Sequence, residues 1–313
     1  SRSHIRPRSV RRSTDGAGRM PDDSPMNAPL PSNLAAPSDP SDPVPDGLPP
    51  PLRQQPVRRL RAGTAADAMD AVLDEIPVAL VYNGVSHAVM MATPADLEAF
   101  ALGFSLSEGI LTHPRECRGI DVEASAEGIS VHLDVAPPTF LALKERRRTL
   151  AGRTGCGLCG VDSLQAARRP VRAVKPPLLT SAAVRVALAA IGASQPLNRA
   201  TGAAHAAAWC GLDGALRIVR EDVGRHNALD KTIGAMAHGG LAPDTGFMLI
   251  TSRVSLEMVQ KAMTVGVGAI VGMSAPTLAA VELAEAAGML LLAFARGDGF
   301  VCYAHPERLA SPD

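Results

Sequence analysis

The chain has 313 residues, 46% of them hydrophobic, and Lys plus Arg and Asp plus Glu both number 31. That length supports a sizeable core and two folded domains of about 100 to 150 residues each, and the balanced charge removes the overall field that would hold nucleic acid or an anionic membrane. Five cysteines, an odd number without the spacing of a secreted disulfide framework, point to a reducing cytoplasm, and no apolar run reaches the roughly 18 residues of a membrane span.

Residues 1–56 are rich in proline, including Pro49-Pro50-Pro51, show little apolar periodicity, and read as a disordered tail. Arg11-Arg12 does not open an export signal, because Ser13 to Gly18 is polar where an apolar segment is required. Met20 and Met26 are candidate internal starts. Residues 57–149 read as a small α+β domain. Val78–Tyr82 and Ser86–Met91 are strand-like around Asn83-Gly84, a strong hairpin signal. Thr93-Pro94 opens a helix with Asp96 and Glu98 beside its positive end, running toward Gly109. Gly128–Val135 alternates as a strand, and the basic run from Lys144 to Arg148 is either a solvated helix face or a docking surface.

Residues 150–313 form the second domain. Helices are expected from Ser181 to Ile191, Arg225 to Met236, Ser255 to Val265 and Pro276 to Ala287. Strands are expected at Leu216–Arg220, Gly246–Thr251, Ala269–Met273, Met289–Ala295 and Phe300–Tyr303. This alternation predicts a largely parallel sheet covered on both faces, with ligands beyond the carboxyl ends of its strands. Glu221 to Asn227, Ser252-Arg253, Ser274 and Arg296 then gather on one rim.

The segment Gly152-Arg153-Thr154-Gly155-Cys156-Gly157-Leu158-Cys159-Gly160 places two thiols among glycines that leave the sulfurs uncovered. A helix is expected from Val161 to Arg168, so the thiols precede a positive helix end. With Arg153 this lowers a thiol from its usual value of about 8.5 toward neutrality and makes it a nucleophile. Zinc would need two further ligands, and the deaminase pattern of His-x-Glu with Pro-Cys-x-x-Cys is absent, since Gly155 stands where Pro is required. A thioredoxin-like redox role ranks second, because the pair follows a charged helix in mid-chain. Cys117, Cys210 and Cys302 read as packing thiols.

In Glu221-Asp222-Val223-Gly224-Arg225-His226-Asn227-Ala228-Leu229-Asp230-Lys231, capping by Asp222 and a turn at Gly224 explain about half the residues. Arg225, His226 and Asn227 are left over and suit an anionic or heterocyclic ligand, with Arg225 as a phosphate fork. His205, in an alanine-rich stretch, is more simply a hydrogen-bonded core residue. Ser255 can cap the helix that follows Thr251-Ser252-Arg253, which leaves Arg253 over.

Together these motifs resemble the FdhD family of formate dehydrogenase accessory sulfurtransferases. Gly152-Arg153 with the Cys156/Cys159 pair, Glu221 to Lys231, Ser252 to Lys261, and Ala101-Leu102-Gly103-Phe104 with Glu108-Gly109 occur in the right order from about Val57 to Leu309. The resemblance implies a cytidine-deaminase-like three-layer α/β domain beside a smaller N-terminal α+β domain, usually as a homodimer. It implies a cytoplasmic sulfur carrier that takes persulfide sulfur from a cysteine desulfurase onto Cys156, with Cys159 assisting, and passes it to the molybdenum cofactor. That cofactor is Mo-bis(molybdopterin guanine dinucleotide), destined for formate dehydrogenase and carried here as a substrate, with no resident metal. The rival reading is a cofactor-binding chaperone that moves no sulfur. By resemblance, Phe294, Ala295, Arg296, Gly297, Asp298 and Gly299 contact the cofactor, and Arg296 serves alone, since relatives carry a further arginine where this chain has Gly299.

Overall fold

The computed structural model describes residues 47–151 and 170–310. The tail before residue 47, Arg153, the Cys156/Cys159 pair and the helix expected from Val161 to Arg168 lie outside the described residues.

Among the described residues there are three sheets. Strands β1 (Leu52–Arg61) and β2 (Thr64–Leu73) form a two-stranded antiparallel ribbon. Strand β1 starts ahead of the boundary drawn at residue 57, and its Pro56 is tolerated because an edge strand needs no outward donor. Strands β3 (Ile76–Tyr82), β4 (Val85–Ala92), β5 (Cys117–Ser125) and β6 (Gly128–Val135) form a four-stranded sheet in the order β4-β3-β6-β5. The expected hairpin is there, with Asn83 and Gly84 both at positive φ, 45° and 80°, as a tight turn between twisted strands requires.

Helix α1 (Leu97–Ser107) begins later than Pro94 suggested, because Thr93 is held elsewhere and Asp96 takes a left-handed conformation. Among the described residues the remaining helices are α2 (Pro137–Ala151), α3 (Ser181–Ile191), α4 (Pro196–Thr201), α5 (Arg225–His238), α6 (Leu256–Thr264) and α7 (Leu278–Ala287). Helix α2 contains the basic run, of which Lys144 is exposed and lies 4.4 Å from the Phe140 ring centroid.

The large sheet contains β7 (His205–Gly211), β8 (Leu216–Asp222), β9 (Gly246–Ile250), β10 (Ala269–Gly272), β11 (Leu290–Arg296) and β12 (Gly299–Ala304), in the order β12-β11-β10-β9-β7-β8. It is mixed where the alternation predicted a largely parallel sheet. The β9/β10 and β10/β11 pairs are parallel, while β7 inserts antiparallel to both β8 and β9, and β12 closes the edge antiparallel to β11. Strand β7 escaped the sequence reading because His205-Ala206-Ala207-Ala208 has little of the β-branched or aromatic character of a strand.

Because successive strand residues point to opposite faces, β9 contributes Met248 and Ile250 to one apolar cluster and Phe247 and Leu249 to the other. Helix α3 covers the second face through Ala183, Val184, Ala187 and Ile191. The first face carries α5, α6 and α7, and this cluster continues without a break into α1 and the four-stranded sheet. Contact between α1 and α5 depends on two glycines. A Cβ on Gly103 would lie 1.7 Å from Asp230 O, and one on Gly234 would lie 1.9 Å from Ala99 O. Among the described residues, no helix is long and apolar enough to cross a membrane.

Candidate functional site

Strands β9, β10 and β11 run in one direction, and β8 shares it because β7 lies antiparallel between β8 and β9. The carboxyl ends of β8, β9, β10 and β11 and the amino end of β7 therefore share a single rim. Hydrogen bonds stitch it together. Ala206 N donates to Thr251 Oγ1 at 2.9 Å, Met273 N to Ile250 O at 2.9 Å and Phe294 N to Ser274 O at 3.1 Å. Arg296 Nε donates to Met273 O at 3.1 Å.

The segment from Glu221 to Lys231 divides into an inward and an outward half. Lys231 Nζ lies 2.7 Å from Asp222 Oδ2, with both side chains fully buried, and also donates to Thr93 O at 3.0 Å. Asp222 accepts from Thr93 N at 3.0 Å, Gly224 N at 2.7 Å and Asn227 Nδ2 at 2.9 Å, while Thr93 Oγ1 accepts from Val223 N. Glu221 accepts the backbone N–H groups of Leu197 and Asn198, both at 2.8 Å, so it anchors the start of α4. Burial nevertheless raises its carboxyl above the ordinary range. Asn227, expected on the rim for a ligand, faces inward, and its Nδ2 is shared between Asp222 and Met91 O at 2.8 Å. Helix geometry dictates this division, since Asn227 and Lys231, four residues apart on α5, share the face that turns back to Asp222 at the end of β8.

Arg225 and His226 remain at the opening, both partly exposed. Arg225 Nε is buried without a hydrogen-bond partner. His226 Nε2 is 2.9 Å from Glu257 Oε2, in ion-pair range without the alignment of a hydrogen bond. Burial, then the Arg225 charge, holds the His226 imidazole below its usual value despite Glu257. The same two causes lower His205, which is half-buried at the start of β7 and belongs to the rim rather than to the core. Two neutral imidazoles beside a guanidinium offer both donors and acceptors to a ligand.

Two helix N-termini open on this rim. Helix α5 begins after Gly224 and α6 after Ser255, neither with a side-chain cap, and Ser255 Oγ is buried without a partner. Free N–H groups at such ends favour an anion. Arg253 and Arg296 are exposed alongside. Phe294 holds a left-handed φ of 51°, costly for a bulky residue, at a register shift where β11 pairs with β12. It is 48% exposed, its ring centroid 6.4 Å from that of Tyr303, while Ala295 is buried. Gly297, Asp298 and Gly299 continue the exposed turn, and a Cβ on Gly299 would meet nothing within 4 Å.

The rim thus unites Arg225, His226, Arg253, Phe294 and Arg296, adds His205, and excludes Asn227. Sequence reasoning did not find Thr93 or the buried group around Lys261. Lys261 Nζ reaches Asp230 Oδ2 at 2.8 Å, Ser107 Oγ at 3.0 Å and Glu108 Oε1 at 2.9 Å. Burial pulls Lys261 down, but Asp230 and Glu108 outweigh it and keep the ammonium charged. Among the described residues, no group of three or more His, Cys, Asp or Glu side chains could hold a metal. The remaining cysteines behave as packing thiols. Burial raises all three thiols, and Cys210 is fully enclosed.

A crystal structure from Desulfotalea psychrophila, named as a proposed formate dehydrogenase accessory protein, superposes with a TM-score of 0.65 at 23% identity. The match covers 83% of this chain and 100% of that one, and at this identity it speaks for the fold. A sulfur carrier protein FdhD of Cupriavidus necator is 50% identical over 265 residues, 84% of this chain and 92% of that protein. One from Variovorax paradoxus is 50% identical over 258 residues, 81% of this chain and 92% of its own length. The FdhD/NarQ family model matches residues 73–310, the span that includes both helix-bearing sheets, the rim and its buried clamps. On that match and on two relatives at 50% identity, the chain belongs to the FdhD/NarQ family.

Proposed function

We propose that this protein is a sulfur carrier for formate dehydrogenase maturation, accepting sulfur on Cys156 and delivering it to a molybdopterin guanine dinucleotide held at the rim. The observation that carries the reading is the rim itself. Three guanidiniums, Arg225, Arg253 and Arg296, share it with two uncapped helix N-termini, a donor set suited to a ligand rich in phosphate. Exposed Phe294 offers an aromatic face for a base, and the neutral imidazoles of His205 and His226 supply directional hydrogen bonds without adding charge.

In the loading step, the Cys156 thiolate attacks the outer sulfur of the persulfide on a cysteine desulfurase. A new S–S bond forms, the donor's S–S bond breaks, and the donor cysteine leaves as a thiolate. Oxidation level is conserved overall, since one persulfide is consumed and one is formed, and the rate follows thiolate fraction and access. The cofactor supplies the metal centre that receives the sulfur. The chain's residues bind and orient its phosphates.

Intact-protein mass after incubation with a cysteine desulfurase and cysteine tests the reading. Added sulfur that thiols remove, present on wild type and absent from Cys156→Ala, is the expected result, with Cys159→Ala retaining at least part of it. Absence of added sulfur on every variant, with guanine nucleotide still bound, would overturn sulfur carriage in favour of a cofactor-binding chaperone.

A further inference from the structure

At the end of the molecule away from the rim lies a cleft of about 590 Å³ that the rim chemistry does not use. Helices α5 and α6 start at the rim and end here, so a helix of 14 residues separates the two by roughly 20 Å. The floor is apolar, formed by Leu111, Ile233, Met236, Leu241 and Val265. Arg115 and Arg172 line it and are exposed, and among the described residues neither side chain has a carboxylate partner. Arg172 is also tied to α6, its backbone N donating to Met263 Sδ at 3.3 Å.

The helix ends beneath the floor carry partial negative charge and would by themselves favour a cation. Two exposed guanidiniums line the same opening and bring whole positive charges against those partial ones. An apolar floor with arginines around it matches the composition of protein interfaces, where arginine and apolar anchors are enriched. Thr112, His113 and Gly240 are exposed around the same opening, which suits a segment of a folded partner laid across it better than a small molecule enclosed on most sides. Arg172 follows Cys159 by 13 residues, so the chain itself holds the thiol within about 45 Å of the cleft.

We propose that this cleft docks the sulfur-donating protein through an exposed segment carrying carboxylates beside apolar side chains. The proposal rests on the sulfur-carrier reading for the identity of the partner, while the cleft's chemistry stands without it. Carboxylates of that segment pair with Arg115 and Arg172, and its apolar side chains cover Leu241 and Val265.

The test is the Kd between the full chain and a purified cysteine desulfurase, for wild type, Arg115→Glu/Arg172→Glu and Arg115→Lys/Arg172→Lys. Charge reversal is expected to weaken binding at least tenfold, and the lysine pair to stay within about threefold of wild type, with guanine nucleotide binding at the rim unchanged. Equal affinity of the reversed variant and wild type, or no binding of desulfurase to wild type, would overturn the docking proposal. Mass analysis separates this from the carrier reading. Normal sulfur loading of the reversed variant at limiting desulfurase sinks the cleft alone, whereas absent loading with binding that still depends on the two arginines sinks the carrier and keeps the cleft.

Discussion

Lys231 and Asp222 face each other at 2.7 Å with no solvent contact, one on a helix and one at a strand end. Replacing Lys231 with Met leaves Asp222 charged, buried and without its cation, a change that typically costs about 3 to 5 kcal/mol. Urea denaturation of Lys231→Met should show that loss. His226 makes a different prediction. Its folded value lies below the usual 6.5 because of burial and Arg225. The unfolded chain therefore binds a proton first as pH falls, and stability declines from about pH 6.5 downward. His226→Gln should flatten that part of a melting-temperature profile, with any remaining slope shared by His205. Thiol reactivity is a third readout. Burial raises Cys117, Cys210 and Cys302, so brief alkylation at pH 7 should label Cys156 or Cys159 well before the other three.

Among the elements, the crossing of α1 on α5 is the tightest. Gly103 and Gly234 were legible as members of family-like or helical segments, but nothing in their spacing indicated that they meet. In the fold each takes the other helix's backbone against its own Cα. Gly103→Ala would force the helices apart, and overpacking of this kind costs about 3 kcal/mol. A fall in the denaturation midpoint with little change in its slope is expected, and an unchanged midpoint would show that the crossing relaxes freely. Strand β7 teaches the converse lesson. Its alanines carry weak strand character, and it is held by pairing to β8 and β9 on either side, which no local pattern announces. Missing it made the sheet look largely parallel, although the strands on either side of it were placed correctly.

Across the whole molecule, the rim draws residues from β7, β8, β9, β10 and β11 that are spread over some 90 positions from His205 to Arg296. Arg253 and Arg296 lie exposed there. Each Ala substitution is expected to weaken binding of GDP, used as a probe of the guanine nucleotide end, about tenfold, close to 1.4 kcal/mol. Titrations at several salt concentrations should give a shallower salt dependence for both variants, and equal Kd values for wild type and the double variant would remove these arginines from the site. Stability should not follow, because neither side chain is buried.

The sequence alone determined α3, α5, α6 and α7 and most strands of the second domain, though not the short α4, because their apolar residues recur with the periods of elements buried on one or both faces. It also marked the Cys156/Cys159 pair and the density of polar residues from Glu221 to Lys231, since such residue types are costly unless they do chemistry or satisfy one another. Tertiary structure alone decided which of those polar groups face inward. Asp222 and Lys231 clamp Thr93 and Asn227 ties to Met91 O, in each case more than a hundred residues earlier, and only Arg225 and His226 reach the rim. Long-range pairing also placed β7 inside the sheet, between β9 and the edge strand β8, and with it His205. The physical reason is the same in each case: periodicity is local, whereas the partner that satisfies a buried charge or a strand edge can come from anywhere in the chain.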